Sequence, residues 1–219
     1  HQDAYAAYGG ALDGLYELFG VLAFANEIYR FGEDLDNDGR VSQSEQLKYD
    51  DEQMDSKVFK AWTPFDHPQL GKVEIGGWKK FGQNNPLPPY LEDEIERNVE
   101  FMLMQARALP LLSISDVKQE YLGKNIYRLT TTILNSGFQP TELAIRFVNN
   151  KSVPVRSYLS VSNKVMVLDD EKEKEIDKIN GNGKEEVSWL VHGSKGSKVT
   201  INVYHPKGGR TSKEIKLSR

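Results

Sequence analysis

Between Asp34 and Glu45 the chain reads DLDNDGRVSQSE, with aspartates at 34, 36 and 38, then Gly39, Ser42 and Glu45. Hard oxygen ligands at the first, third and fifth places of a twelve-residue loop, a glycine at the sixth and a glutamate at the twelfth are the ligand set of a calcium loop. Asp34, Asp36 and Asp38 would each give one oxygen and Arg40 its backbone carbonyl. Ser42 would bind directly or through water, and Glu45 with both oxygens, while Val41 turns its apolar side chain inward. Four carboxylates this close repel one another unless a divalent cation neutralises them, so bound Ca2+ is expected. An acidic surface turn without an ion suits the same residues, and the sequence leaves both open. No second loop of this kind exists in the chain, and sensor loops usually come in pairs, so the expected role is structural.

The elements that must carry this loop are only partly legible. Ile28, Tyr29 and Phe31 before it and Leu47 after it do not settle whether two helices embrace it. A helix is expected over residues 88–109, opened by Pro88-Pro89, with Leu91, Ile95, Val99, Met102 and Ala106 on one apolar stripe. Acidic Glu92, Asp93 and Glu94 lie in its first turn and Arg107 in its last, as the helix dipole favours. Met102 and Met104 are expected to be core packing.

After Pro110 the pattern changes to short β-branched or aromatic runs: Ile126–Leu134, Leu143–Val148, Val155–Val161, Val165–Leu168, Val187–Val191, Val199–Tyr204 and Glu214–Leu217. Such spacing reads as a β-sandwich of immunoglobulin or fibronectin type III topology, with Trp189 as a buried anchor. The alternating charges from Asp169 to Lys178 suit a solvated connection or an edge. Trp62, Phe65 and Trp78 are expected to be buried in interdomain packing, with an exposed aromatic platform as the alternative, and His67 to make local hydrogen bonds in a loop.

With 219 residues the chain is longer than one typical domain of roughly 150. Residues 1–110 carry 10 basic and 20 acidic groups, whereas 111–219 carry 18 and 12, so the net charge of -4 is a cancellation between two expected domains, 1–110 and 111–219. A balance of that sort offers no footprint for nucleic acid. Absence of cysteine excludes disulfides, thiolate metal sites and cysteine nucleophiles. No apolar run approaches the ~20 residues of a transmembrane helix. The first residue is His1, so a signal peptide removed upstream is compatible with the sequence.

Residues Tyr5 to Glu27 read YAAYGGALDGLYELFGVLAFANE. This stretch resembles the last catalytic segment of the zinc carboxypeptidases of the carboxypeptidase A (M14) family. The resemblance implies that Tyr5 is the mobile tyrosine covering bound substrate and that Gly9-Gly10 is the small turn after it. Leu12 then lies at the floor of the pocket for the C-terminal side chain, followed by Asp13 and Tyr16. Phe24 and Glu27 fall on the strand that delivers the catalytic glutamate. A carboxylate beside zinc takes a proton from metal-bound water and hands it to the departing amine, which is the role implied for Glu27. Gly14 replaces the aromatic that usually follows the aspartate. The family's H-x-x-E, its later histidine and its substrate-clamping arginine are absent, since His1, His67, His192 and His205 stand in no such setting.

The expected architecture is thus an α+β N-terminal segment, the end of an M14-type α/β catalytic domain with an EF-hand-like loop at 34–45 and a helix at 88–109, followed by an all-β sandwich. The expected function is that of the C-terminal fragment of a secreted metallocarboxypeptidase-like protein, extracellular or periplasmic. It would act on peptide or protein substrates and be inactive alone, because Zn2+ needs ligands from a longer chain. A neutral Leu12 favours an uncharged C-terminal side chain on the substrate. The rival is a calcium-stabilised, non-catalytic adhesion module whose sandwich binds carbohydrate or protein.

Overall fold

The computed structural model describes residues 9–218. They form two compact units: one is Ala25–Leu103, the other is Met104 onward together with the residues up to Phe24.

Helix α1 (Ala11–Phe19) belongs to the second unit; in the first unit Ser42 caps the start of α2 (Gln43–Gln53). Ser42 and Glu45 form a reciprocal capping box, which satisfies two amides that a helix start leaves open. Asp50, buried in α2, accepts the amides of Val58 at 2.8 Å and Phe59 at 2.7 Å and so fixes the turn into the hairpin β1 (Phe59–His67) and β2 (Gly71–Trp78). A small core of Phe31, Met54 and Val58 is closed by Tyr29, Tyr49, Trp78 and Leu87. Within it Phe31 meets the rings of Tyr49 and Trp78 edge-on, each at 5.3 Å.

Helix α3 runs from Pro88 to Ala108, close to the expected 88–109. Its stripe is not buried, with Met102 58% exposed, and Met104 off the stripe is 51% exposed, which corrects the reading of both as core. A 3.6-residue period reports a face that suits a cover, not that the same chain supplies one. The expected interior packing of Trp62 and Phe65 is corrected likewise. Both side chains are exposed on the two-stranded hairpin, and Trp78 alone of the three packs inward, against Phe31 and Phe59. Nor does any strand run through Phe24 to Glu27. A strand needs a neighbour for its backbone N–H and C=O groups, and no sheet among the described residues pairs with that segment.

The second unit is built on two antiparallel sheets. One holds β3 (Leu112–Ile114), β5 (Ile126–Asn135), β9 (Lys184–Gly193) and β7 (Val165–Val167) in that order, with β4 (Lys118–Gly123) also on β5. The other holds β11 (Gly209–Lys216), β10 (Lys198–His205), β6 (Val155–Val161) and β8 (Glu173–Ile176). Period-two burial decides which face turns inward: Leu129, Thr131 and Ile133 of β5 are buried, as are Val187, Trp189 and Val191 of β9 and Val199, Ile201 and Val203 of β10. Fully burying an Ile or Leu such as Ile133 or Leu129 contributes roughly 1.5–3 kcal/mol. Trp189 is the anchor expected of it, at 1% exposure. β8, inside the charged run 169–178, is an edge strand, where its alternating Glu and Lys side chains meet water.

The expected strand Leu143–Val148 is instead helix α4 (Ala144–Val148). A short apolar run does not distinguish helix from strand by period. Here Arg146 reaches Glu142, four residues earlier, at 3.3 Å, a separation a helical turn allows and an extended strand does not. Helix α1 belongs to this unit and packs beside α4.

Candidate functional site

Loop 34–45 brings the carboxylates of Asp34, Asp36 and Asp38 together, with an oxygen from each lying within 4.8 Å of the others. The backbone turns inward to hold them. Asp34 accepts the amides of Asp38 at 3.1 Å and Gly39 at 2.8 Å, Asp36 also accepts the Asp38 amide, and Asp38 accepts that of Arg40 at 2.8 Å. Gly39 sits at φ 89, a conformation that a side chain would strain. Among the described residues no lysine or arginine forms an ion pair with these three carboxylates.

Glu45 and Ser42 are not part of that triad. Glu45 accepts the amides of Leu35 and Ser42, each at 2.7 Å, and the Ser42 hydroxyl at 2.8 Å. The Ser42 amide first, then that of Leu35, hold its pKa down at about 2, so it is a carboxylate at any ordinary pH. It closes the loop by tying the second residue to the helix start. An exposed set of oxygen donors alone, with no nitrogen or sulfur, fits a hard divalent cation such as Ca2+ or Mg2+ and does not fit zinc. Among the described residues α2 follows the loop, and no helix lies between Gly20 and Ser42.

The residues of the N-terminal pattern fall as follows. Tyr5 lies outside the described residues. Helix α1 opens after Gly10, in the extended conformation, with Asp13 in its first turn, and stops at Gly20, whose φ of 61 takes the left-handed cap. From α1 and the segment after it, Leu12, Asp13, Tyr16, Leu22, Ala23 and Phe24 line one pocket of about 250 Å³. Glu27 is exposed, and among the described residues it has neither a hydrogen bond nor an ion pair.

The histidines are dispersed. His67 ends β1, and its Nδ1 accepts the amides of Gln69 and Leu70 at 3.2 Å, so its local hydrogen bonding is as expected. His192 lines an open pocket of about 370 Å³ with Leu159, Met166, Lys164 and Lys172. His205 is wholly buried, and burial pushes its pKa below the ordinary value. Among the described residues the aspartate triad is the one group of His, Asp and Glu close enough to hold a metal.

Sequence reasoning missed a buried polar cluster around Glu142. This carboxylate is 2% exposed and meets Lys207 at 2.7 Å as well as Arg146, with His205 at 3.9 Å. Glu142 lies just before α4 and Arg146 within it, His205 ends β10 and Lys207 stands in the turn to β11, and no spacing in the sequence announces that meeting.

Residues 111–216 match a family described as a domain of unknown function, DUF8731. None of the curated proteins matches the chain. Three solved structures are similar to about half of it. The GAE domain of GGA2p from Saccharomyces cerevisiae is 10% identical, over 49% of this chain and 88% of that one, at TM-score 0.29. PapD-like domain 7 of human CEP192 is 10% identical over 48% and 82%, at TM-score 0.25. β-Glucosidase 3B from Thermotoga neapolitana is 12% identical over 50% of this chain and 16% of its own, at TM-score 0.26. Identities at this level say nothing of function. No helix among the described residues is long and apolar enough to cross a membrane.

Proposed function

We propose that the chain is the C-terminal portion of a secreted zinc metallocarboxypeptidase-like protein, extracellular or periplasmic, with the sandwich as its appended domain. One observation carries the reading: Leu12, Asp13, Tyr16 and Phe24, matched to the carboxypeptidase pattern by type and spacing, all line the same pocket. Uncovered apolar surface supports it further. Leu15, Phe19 and Phe24 in one unit, and Leu91, Ile95, Val99 and Met102 in the other, are 39–60% exposed, as surfaces are that another part of a protein covers.

The histidines present do not fit zinc, so the metal would be held by residues outside this chain, and no step through it follows from the described atoms. What the chain contributes is a proton carrier and a pocket. Glu27 would accept a proton from the attacking water at a carboxylate oxygen and deliver it to the leaving amine. Tyr5 would close over the substrate. Leu12 is neutral where the resemblance puts the pocket floor, which favours a substrate with an uncharged C-terminal residue, and Asp13 lines the same pocket beside it. Loop 34–45 would hold Ca2+ through Asp34, Asp36, Asp38, the Arg40 carbonyl, Ser42 and Glu45, with a stabilising role.

A non-catalytic, calcium-stabilised binding module is the second reading, and the exposed Trp62 and Phe65 on the hairpin favour it. Peptides ending in Leu or Phe, given to the protein carrying its upstream residues, separate the two. Release of the free amino acid at a rate well above that from peptides ending in Lys supports the enzyme. No release from any of them supports the module.

A further inference from the structure

Helix α1 ends on the sandwich in a way its own sequence does not complete. The turn at Gly20 uses the carbonyls of Leu15 and Tyr16, which accept the amides of Val21 at 3.0 Å and Gly20 at 2.9 Å. The next carbonyls are taken by side chains more than a hundred residues away. Asn149 Nδ2 donates to Glu17 O at 2.9 Å, Arg146 to Leu18 O, and Lys207 Nζ to Gly20 O at 3.0 Å. Glu142 holds both cations from the other side, Lys207 at 2.7 Å and Arg146 at 3.3 Å.

Two cations on one carboxylate leave a surplus positive charge. It faces the end of a helix, where aligned peptide dipoles gather roughly half a negative charge. Contact is close: a Cβ on Gly20 would collide with Arg146 Cγ, and Gly20 is already at φ 61. Gly20 is also the joint of the pocket. Leu12, Asp13 and Tyr16 precede it on α1, and Leu22, Ala23 and Phe24 follow it. Holding the carbonyls of residues 17, 18 and 20 therefore fixes the angle between the two walls.

We propose that Arg146, Asn149 and Lys207 form a docking site on the sandwich for the C-terminus of α1, and that they are positioning residues for the pocket floored by Leu12. The second half rests on the carboxypeptidase reading; the first does not.

Hydrogen–deuterium exchange of this chain tests the dock. In Lys207→Met and in Gly20→Ala, amides 15–19 of α1 are expected to exchange at least about tenfold faster, with β5 and β9 unchanged. Lys207→Arg restores protection, and Lys198→Met, in an exposed pair with Glu214, has no effect. Unchanged α1 exchange in Lys207→Met overturns the dock. Should Lys207→Met loosen β5 too, Asn149→Ala decides, because Asn149 lies outside both sheets and its Nδ2 donates to Glu17 O.

Kinetics of the protein carrying its upstream residues test the positioning. KM for peptides with an apolar C-terminal residue is expected to rise about tenfold in Lys207→Met, with kcat changed less and Lys207→Arg close to wild type. Faster α1 exchange with unchanged KM overturns the positioning role and leaves the dock. A wild-type protein that releases no C-terminal residue overturns the carboxypeptidase reading and the pocket role with it, and exchange alone then decides the dock.

Discussion

Asn135 Oδ1 accepts the amide of Leu111 at 3.0 Å, so the residue closing β5 grips the chain where it enters the sandwich, 24 positions earlier. The same oxygen accepts the Gly137 amide at 3.1 Å, and Nδ2 donates to the carbonyls of Gln139 at 2.8 Å and Asn180 at 3.1 Å. At 1% exposure none of these groups has ready access to water. Asn135→Ala is expected to lower sandwich stability by about 3 kcal/mol or more in urea unfolding, because several backbone groups lose their partner at once. Asn135→Asp does not rescue it, since the amide donors are gone.

Tyr127 presents the opposite case. Its ring is buried between the sheets, yet among the described residues its hydroxyl has no hydrogen-bond partner, and neither does the indole N–H of Trp189. Removing an unsatisfied buried hydroxyl without changing the ring is close to neutral or favourable. Tyr127→Phe is expected to leave thermal stability unchanged or raise it by up to about 1 kcal/mol. A loss larger than that would show that the hydroxyl has a partner.

His205 gives the sandwich a pH dependence. Its Nδ1 accepts the amides of Lys207 and Gly208, Nε2 lies 3.1 Å from Val153 O, and burial holds its pKa below the ordinary 6.5. A depressed histidine binds fewer protons folded than unfolded, so its contribution is intact above pH 6.5 and is lost as pH falls below it. Chemical unfolding across pH 7 to 5 is expected to show that decline, and His205→Gln to flatten it. Glu142 and Lys207 act on the same imidazole less strongly than burial does.

Most of the sandwich could be read from the sequence, because its strands alternate with period two around residues that have nowhere else to go, such as Leu129, Trp189 and Ile201. The α3 helix is legible from its 3.6-residue apolar period, but its exposure is not: Met102 follows the period while 58% exposed. The α4 segment reads as a strand because a run of six residues with five apolar side chains holds no decisive period, and the contact that favours the helix, Glu142 with Arg146, only matters once Lys207 arrives from β10–β11. Of the candidate site, the aspartate triad was legible because its ligands are local. The α1 dock was not, since its donors and acceptors are more than a hundred residues apart.

Calcium is expected to raise the melting temperature of the chelated protein. At a concentration of 100 Kd the stabilisation is about 2.7 kcal/mol. Asp36→Asn, which removes one of three clustered carboxylates, is expected to weaken calcium binding by about tenfold or more in calorimetric titration. A melting temperature indifferent to calcium in the wild-type protein would remove the ion from loop 34–45.

The carboxypeptidase reading is tested most directly by Glu27→Gln in the protein carrying its upstream residues, with release of a C-terminal Leu or Phe followed by mass spectrometry. The substitution keeps the size of the side chain and removes its capacity to carry a proton. A fall in kcat of about a hundredfold or more, with the melting temperature unchanged, is expected. Wild-type release that Glu27→Gln leaves intact, or no release by the wild-type protein at all, would contradict it.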